Sequence, residues 1–165
     1  TIYEGTTAIQ ANDLVGRKTT RDGGQTAKAI AAQVEATEAE LIAQGGANAA
    51  AVAKKLQAAR LAFIDVVEFI VANGRSNPNA AFAGSVPYLM LAGNLMAGWQ
   101  LARALLVAEA ALASGDCGDF GPTFMQAKIT TARFYADHIL TRAPGVRDAI
   151  VEGAGSVTEL PLEAF

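Results

Sequence analysis

An all-α fold, an antiparallel bundle of four or more helices, is what this 165-residue sequence predicts. Three observations carry that expectation. Apolar residues recur at intervals of three and four, most clearly at Val52, Leu56, Ala59, Phe63, Val66 and Ile70. No stretch shows the sustained alternation of β-branched residues that marks a half-buried strand. Glycine and proline gather at a few places and cut the chain into helix-length pieces.

The elements follow in order. The first helix is predicted over residues 6–20, capped by Thr6 or Thr7 and stopped by Asp22-Gly23-Gly24. The second covers 25–44, with Ile30, Val34 and Leu41 on one face, and Gly45-Gly46 ends it. The third covers 47–73 and carries the apolar seam, with Lys54, Lys55, Asp65 and Glu68 off it. Asn77-Pro78 is a start signal: a capping side chain, then proline where no backbone donor is needed. The fourth helix runs from there to about residue 114, and Pro87 is expected to break or kink it. After a loop at 115–121, the fifth covers 122–142. Gln126, Thr130, Arg133, Asp137 and Thr141 form its polar face, and Met125, Ile129, Ala132, Ala136 and Ile139 look inward. Pro144 opens a short sixth helix ending near Gly153, and the tail SVTELPLEAF is apolar enough to dock on something. The hinge at Asp22-Gly23-Gly24 divides residues 1–20 from a bundle domain at 25–165.

Composition narrows the function classes. A hydrophobic fraction of 52% with 18% charged residues excludes a disordered chain. The net charge of −3 and the lack of a basic stripe argue against nucleic acid as a partner. Cys117 is the single cysteine and His138 the single histidine. No internal disulfide can form, no metal site is expected, and a reducing, cytoplasmic setting fits. Residues 77–102 carry no charge, and roughly 20 apolar residues would cross a bilayer. The run is interrupted by Asn77, Asn79, Ser85, Pro87, Asn94 and Gln100 and is rich in Ala and Gly, so a buried helix is expected there, not a membrane span.

Few residues have the chemistry of a site. Glu4 precedes a capped helix, near its amide donors, and a carboxylate so placed can act as a general base. Gly5 beside it lets a ligand approach the backbone. The plainer reading, a solvated acid before a helix, fits the same residues. His138 follows Phe134 by one turn and reads as structural. Cys117 has no base or cation near it in sequence to activate it. Trp99, Tyr88 and Phe82 read as core of the long apolar helix, and Arg75, Arg103 and Arg133 as partners for acids across helices.

Ile2-Tyr3-Glu4-Gly5-Thr6, followed by Ile9-Gln10, resembles the catalytic-glutamate motif of the acyl-CoA dehydrogenases. Its extension through Ala11-Asn12-Asp13-Leu14-Val15-Gly16-Arg17-Lys18 is similar to the branch with an additional C-terminal helical domain. Pro87-Tyr88-Leu89, the stretch from Gly98 to Arg103 and the stretch from Lys128 to Ala136 resemble that extra domain, in the expected order.

The resemblance implies a C-terminal piece of a larger enzyme that oxidises an acyl-CoA to the trans-2-enoyl-CoA with FAD as acceptor. By the same resemblance Glu4 takes the α-proton, and its backbone N–H helps polarise the thioester carbonyl. Thr6, Thr7 and Ala8 match positions that meet FAD. Tyr3 lines the acyl pocket, Gly5 lets the thioester lie close, and Arg17 serves the CoA end. Two departures stand out. Ala8 replaces an amide side chain, and Arg17 falls one residue later than a gapless match, about 100° of helical rotation. An electron-transfer flavoprotein or similar acceptor and a homo-oligomer are further implied. The flavin-binding β-barrel and most of the catalytic bundle precede this segment in the family, so the isolated chain is expected to be colourless and inactive. The rival reading is a non-enzymatic helical-bundle interaction module in which Tyr3-Glu4-Gly5-Thr6 is a helix cap and nothing more.

Overall fold

The computed structural model describes residues 4–164; the side chains of Glu4, Thr158 and Leu162 fall outside that description. Helix α1, Glu4–Asp13, runs without a break into a π-helical segment, Leu14–Thr20. The bundle follows as α2 (Gln25–Gln44), α3 (Ala47–Asn73), α4 (Pro78–Ala83), α5 (Ser85–Ser114), α6 (Gly121–His138) and α7 (Ala143–Val151). Among the described residues there is no strand.

Helix α3 is the central element, packed by α2, α5, α6 and α7. Its six-residue seam from Val52 to Ile70 is buried throughout. Val34 and Leu41 of α2 and Ile129, Ala132 and Ala136 of α6 close on the same core, while Ile30, Met125 and Ile139 are half-buried at its margin. Helix α5 is long and apolar enough to cross a membrane by length and composition. It buries a single stripe, Tyr88, Leu91, Leu95, Gly98, Ala102, Leu105 and Ala108, instead of its whole circumference. Met90 and Val107 on its other side are exposed.

Three expectations are corrected. The first helix begins at Glu4, so Thr6 and Thr7 lie inside its first turn and do not cap it. The long apolar helix divides at Gly84, not at Pro87. Pro87 is the third residue of α5, where the missing N–H would have no helical acceptor anyway. Phe82 is therefore on the short α4, partly exposed, with its ring against Gly16 of the π-helical segment.

Two glycines are required by geometry. Gly24 precedes α2 at φ 76°, and a Cβ there would lie 2.7 Å from Val67 Cγ1. Gly98 lets α5 close on Leu140, where an added Cβ would come within 2.7 Å of both terminal methyls. Helix propensity favours Ala over Gly by about 1 kcal/mol. Overpacking costs about 1–3 kcal/mol, and Leu140 is only 2% exposed, with little room to yield. Gly98→Ala is therefore expected to destabilise the fold, read as a lower urea midpoint at unchanged slope; a raised midpoint would contradict it.

Candidate functional site

The candidate site is the start of α1. Glu4 is its first residue, and Gly5, Thr6, Thr7 and Ala8 are all exposed. The positive end of the α1 dipole is on the side of Glu4. Ala8 lies one turn on, where its N–H is committed to the helix, leaving only its methyl for an outside contact. A Cβ added at Gly5 would meet nothing within 4 Å among the described residues. Tyr3 lies outside the described residues, as does the side chain of Glu4.

This exposed turn rests on a buried anchor. Ala11 and Val15 are fully buried, and α1 packs along α5. Further on, the Thr19 hydroxyl and the Tyr88 hydroxyl share a hydrogen bond of 2.9 Å, both residues being buried. Tyr88 stacks on Phe63 at 5.8 Å between ring centroids. Burial pushes the Tyr88 phenol above its ordinary pKa and outweighs the opposing hydrogen bond from Thr19, so it stays protonated at neutral pH. Gly24 N–H donates to the Thr19 carbonyl at 2.9 Å, which closes the wide turn.

Asp22 joins this anchor to the bundle. Its carboxylate accepts from Gly24 N–H at 2.9 Å and Thr26 N–H at 3.0 Å, so it caps α2 from outside. The Thr26 hydroxyl, then the backbone amides, hold the Asp22 carboxyl below its ordinary value of 3.8. A lowered folded pKa means that the cap's contribution is present above 3.8 and is lost as pH falls through the folded value. The Thr26 amide NMR shift should accordingly titrate below pH 3.8, and a titration above that value would contradict the cap.

Arg17 is not brought to the first turn. It lies thirteen residues beyond Glu4, about 20 Å away at the α-helical rise. Its side chain is 80% exposed and pairs with Asp13 at 2.9 Å. The other singled-out residues have structural partners. Exposed His138 lies against Phe134, ring centroids 4.5 Å apart and tilted by 35°, and buried Cys117 contacts the Ala111 carbonyl at 3.8 Å. Trp99 is half-buried, and its indole N–H donates to the Thr37 hydroxyl at 2.8 Å. Arg103 and Arg133 do not meet acids across helices: Arg103 bonds Gln100, and Arg133 pairs with Asp137 of its own helix and reaches Asn48 of α3. The described cross-helix ion pairs are instead Arg60 with Glu38 and Glu35, Lys28 with Glu68, and Arg147 with Asp65.

Comparison with known proteins agrees with this architecture. The family described as "Acetyl-CoA dehydrogenase C-terminal like" matches residues 26–161. The chain is 49% identical over 156 residues, 94% of its length, to a 3-methylmercaptopropionyl-CoA dehydrogenase of Ruegeria pomeroyi. It is 32% identical over 99% of its length to a broad-specificity linear acyl-CoA dehydrogenase of Mycobacterium tuberculosis. It is 31% identical, again over 99%, to a butyryl-CoA dehydrogenase of Syntrophomonas wolfei. In each case it spans about a quarter of the relative, 26%, 27% and 26% respectively. The chain belongs to the acyl-CoA dehydrogenases of this C-terminal-like family.

Proposed function

We propose that the natural polypeptide carrying this chain oxidises an acyl-CoA thioester to the trans-2-enoyl-CoA, and that Glu4 removes the α-proton. One observation carries the reading: Glu4 stands in α1 next to the exposed residues Gly5, Thr6 and Thr7, in a chain 49% identical to a 3-methylmercaptopropionyl-CoA dehydrogenase. An α-proton beside a thioester is weakly acidic, so its removal needs an aimed base and a polarised carbonyl. In this reading the backbone N–H of Glu4 serves that carbonyl, and Gly5, with no described neighbour beside it, admits the thioester.

The donor set at α1 fits one edge of FAD. Thr6 and Thr7 present hydroxyls to solvent, and Ala8 adds apolar contact. FAD, when bound, supplies the acceptor for the β-hydride. Since these residues make only one edge, the chain alone is proposed to be colourless and inactive.

Arg17 is proposed to meet the CoA end. A pantetheine-linked nucleotide is long enough for the spacing between Gly5 and Arg17. The π-helical segment also bears on its register. A turn closed from i to i+5 takes up one residue more than an α-turn, which offsets the single-residue displacement of Arg17. Arg17 is the exposed member of its pair with Asp13, so it can exchange that partner for a phosphate. Residues 1–20 are proposed as the catalytic loop and last helix of the common domain, and 25–165 as the additional domain. The start of the family match at residue 26 supports that division.

Assay of the natural polypeptide against a series of straight and substituted acyl-CoA thioesters tests the reading. Formation of trans-2-enoyl-CoA from at least one member is expected. Failure to oxidise any of them would leave the interaction-module reading in its place.

A further inference from the structure

We infer that Tyr88 of α5 is a positioning residue for Glu4: its bond to the Thr19 hydroxyl holds the π-helical turn, and that turn sets the rotation at which α1 leaves the bundle. The inference rests on the reading of Glu4 as the base. A π-helical segment closes from i to i+5 and is rare, so contacts from outside have to hold it open. Ala11, Val15 and Thr19, spaced by four, are all buried. On an α-helix each such step overshoots a full turn by about 40°, so the three would drift by about 80° around the helix. The wide turn over Leu14–Thr20 takes up more residues per turn, which brings Thr19 back to the side of Ala11 and onto Tyr88.

Two further bonds fit the wide turn. The Thr20 hydroxyl donates to the Val15 carbonyl, five residues back, at 2.8 Å. Gly24 N–H donates to the Thr19 carbonyl, again five back, at 2.9 Å. Of the three bonds, only the one from Tyr88 reaches in from the bundle, and it can be removed alone. In Tyr88→Phe the ring keeps its stack on Phe63. The Thr19 hydroxyl then finds the Val15 carbonyl four residues back, as a threonine in an α-helix does. That choice competes with Thr20 and favours the tighter turn. Taking one residue out of the turn shifts the phase between Ala11 and Thr19 by about 100°. Both can no longer keep their buried places, and α1 loses its single orientation. Glu4 lies fifteen residues before Thr19 on the same run of helix, so the change of phase reaches it. A misplaced base costs rate without costing binding.

Single-turnover kinetics of the natural polypeptide test this. Tyr88→Phe should form trans-2-enoyl-CoA about tenfold to a hundredfold more slowly, at unchanged thioester affinity and melting temperature. Thr19→Val should slow it equally, and the double variant no further than either. Thr19→Ser, which restores the hydroxyl, should restore the rate. Amide exchange over Leu14–Thr20 should quicken by about tenfold in Tyr88→Phe while that of α3 holds, as expected for one lost hydrogen bond. A parent that forms no enoyl product would sink the reading of Glu4, and the exchange result would then decide this inference by itself. Parental turnover in Tyr88→Phe, a slowing matched by a fall in melting temperature, or unchanged exchange over Leu14–Thr20 would overturn it.

Discussion

Glu38→Ala is expected to lower the stability of the bundle by about 3 kcal/mol, near the lower end of the cost of stranding one member of a buried ion pair. Arg60 of α3 donates from Nε and from a terminal nitrogen to the two oxygens of Glu38 on α2, both at 2.8 Å. The side chains are 10% and 5% exposed, so the fork lies inside the α2–α3 interface. The Glu38 hydrogen bonds raise the Arg60 pKa and outweigh its burial, and a guanidinium is basic enough to stay charged whatever replaces Glu38. Removing the carboxylate leaves that charge with Glu35 alone, at 3.2 Å and 64% exposed. The exposed partner compensates weakly, which holds the cost to the lower end. Glu35→Ala by itself should cost about 0–1 kcal/mol. Replacing Glu38 and Arg60 together by Leu and Met should recover most of the loss, since an apolar pair strands no charge. Urea unfolding of the four proteins checks this, and equal midpoints for Glu38→Ala and Glu35→Ala would contradict it.

Glu4→Gln is expected to have the largest effect on activity. Proton transfer by a placed general base contributes on the order of 10²–10⁴-fold, and Gln keeps the size of Glu without its basicity. The substitution is at the exposed first turn of α1, away from the buried anchor at Ala11 and Val15. The melting temperature should therefore hardly move. A loss of turnover with a matching loss of stability would make Glu4 a structural residue.

Much of the bundle was legible in the sequence. Gly45-Gly46 separates α2 from α3 where expected, because both residues have positive φ in the structure. The seam from Val52 to Ile70 became the core of the central helix because its spacing leaves one face apolar. The start of α1 was misread because a threonine suits either a cap or a first turn, and composition does not choose between them. Pro87 was misread for a similar reason: a proline in a first turn and a proline at a break look alike until the helix start is known. Periodicity shows which face is buried but not what it meets. The Arg60–Glu38 fork, the Thr19–Tyr88 bond and the Asp22 cap all join elements whose relative placement only the fold decides. No residue pattern announces the π-helical segment. At the candidate site Glu4 and Gly5 stand out by type and neighbours, whereas nothing in the residue pattern shows that Arg17 lies in a π-helical turn.

The most direct test is a single anaerobic turnover of the natural polypeptide with an acyl-CoA that it oxidises, following trans-2-enoyl-CoA, beside its Glu4→Gln variant. The account predicts prompt product from the parent. From the variant it predicts formation slower by about 10²–10⁴-fold at unchanged thioester affinity. Product at the parental rate from Glu4→Gln would mean that the base lies elsewhere, and that Glu4 is only the first residue of a helix.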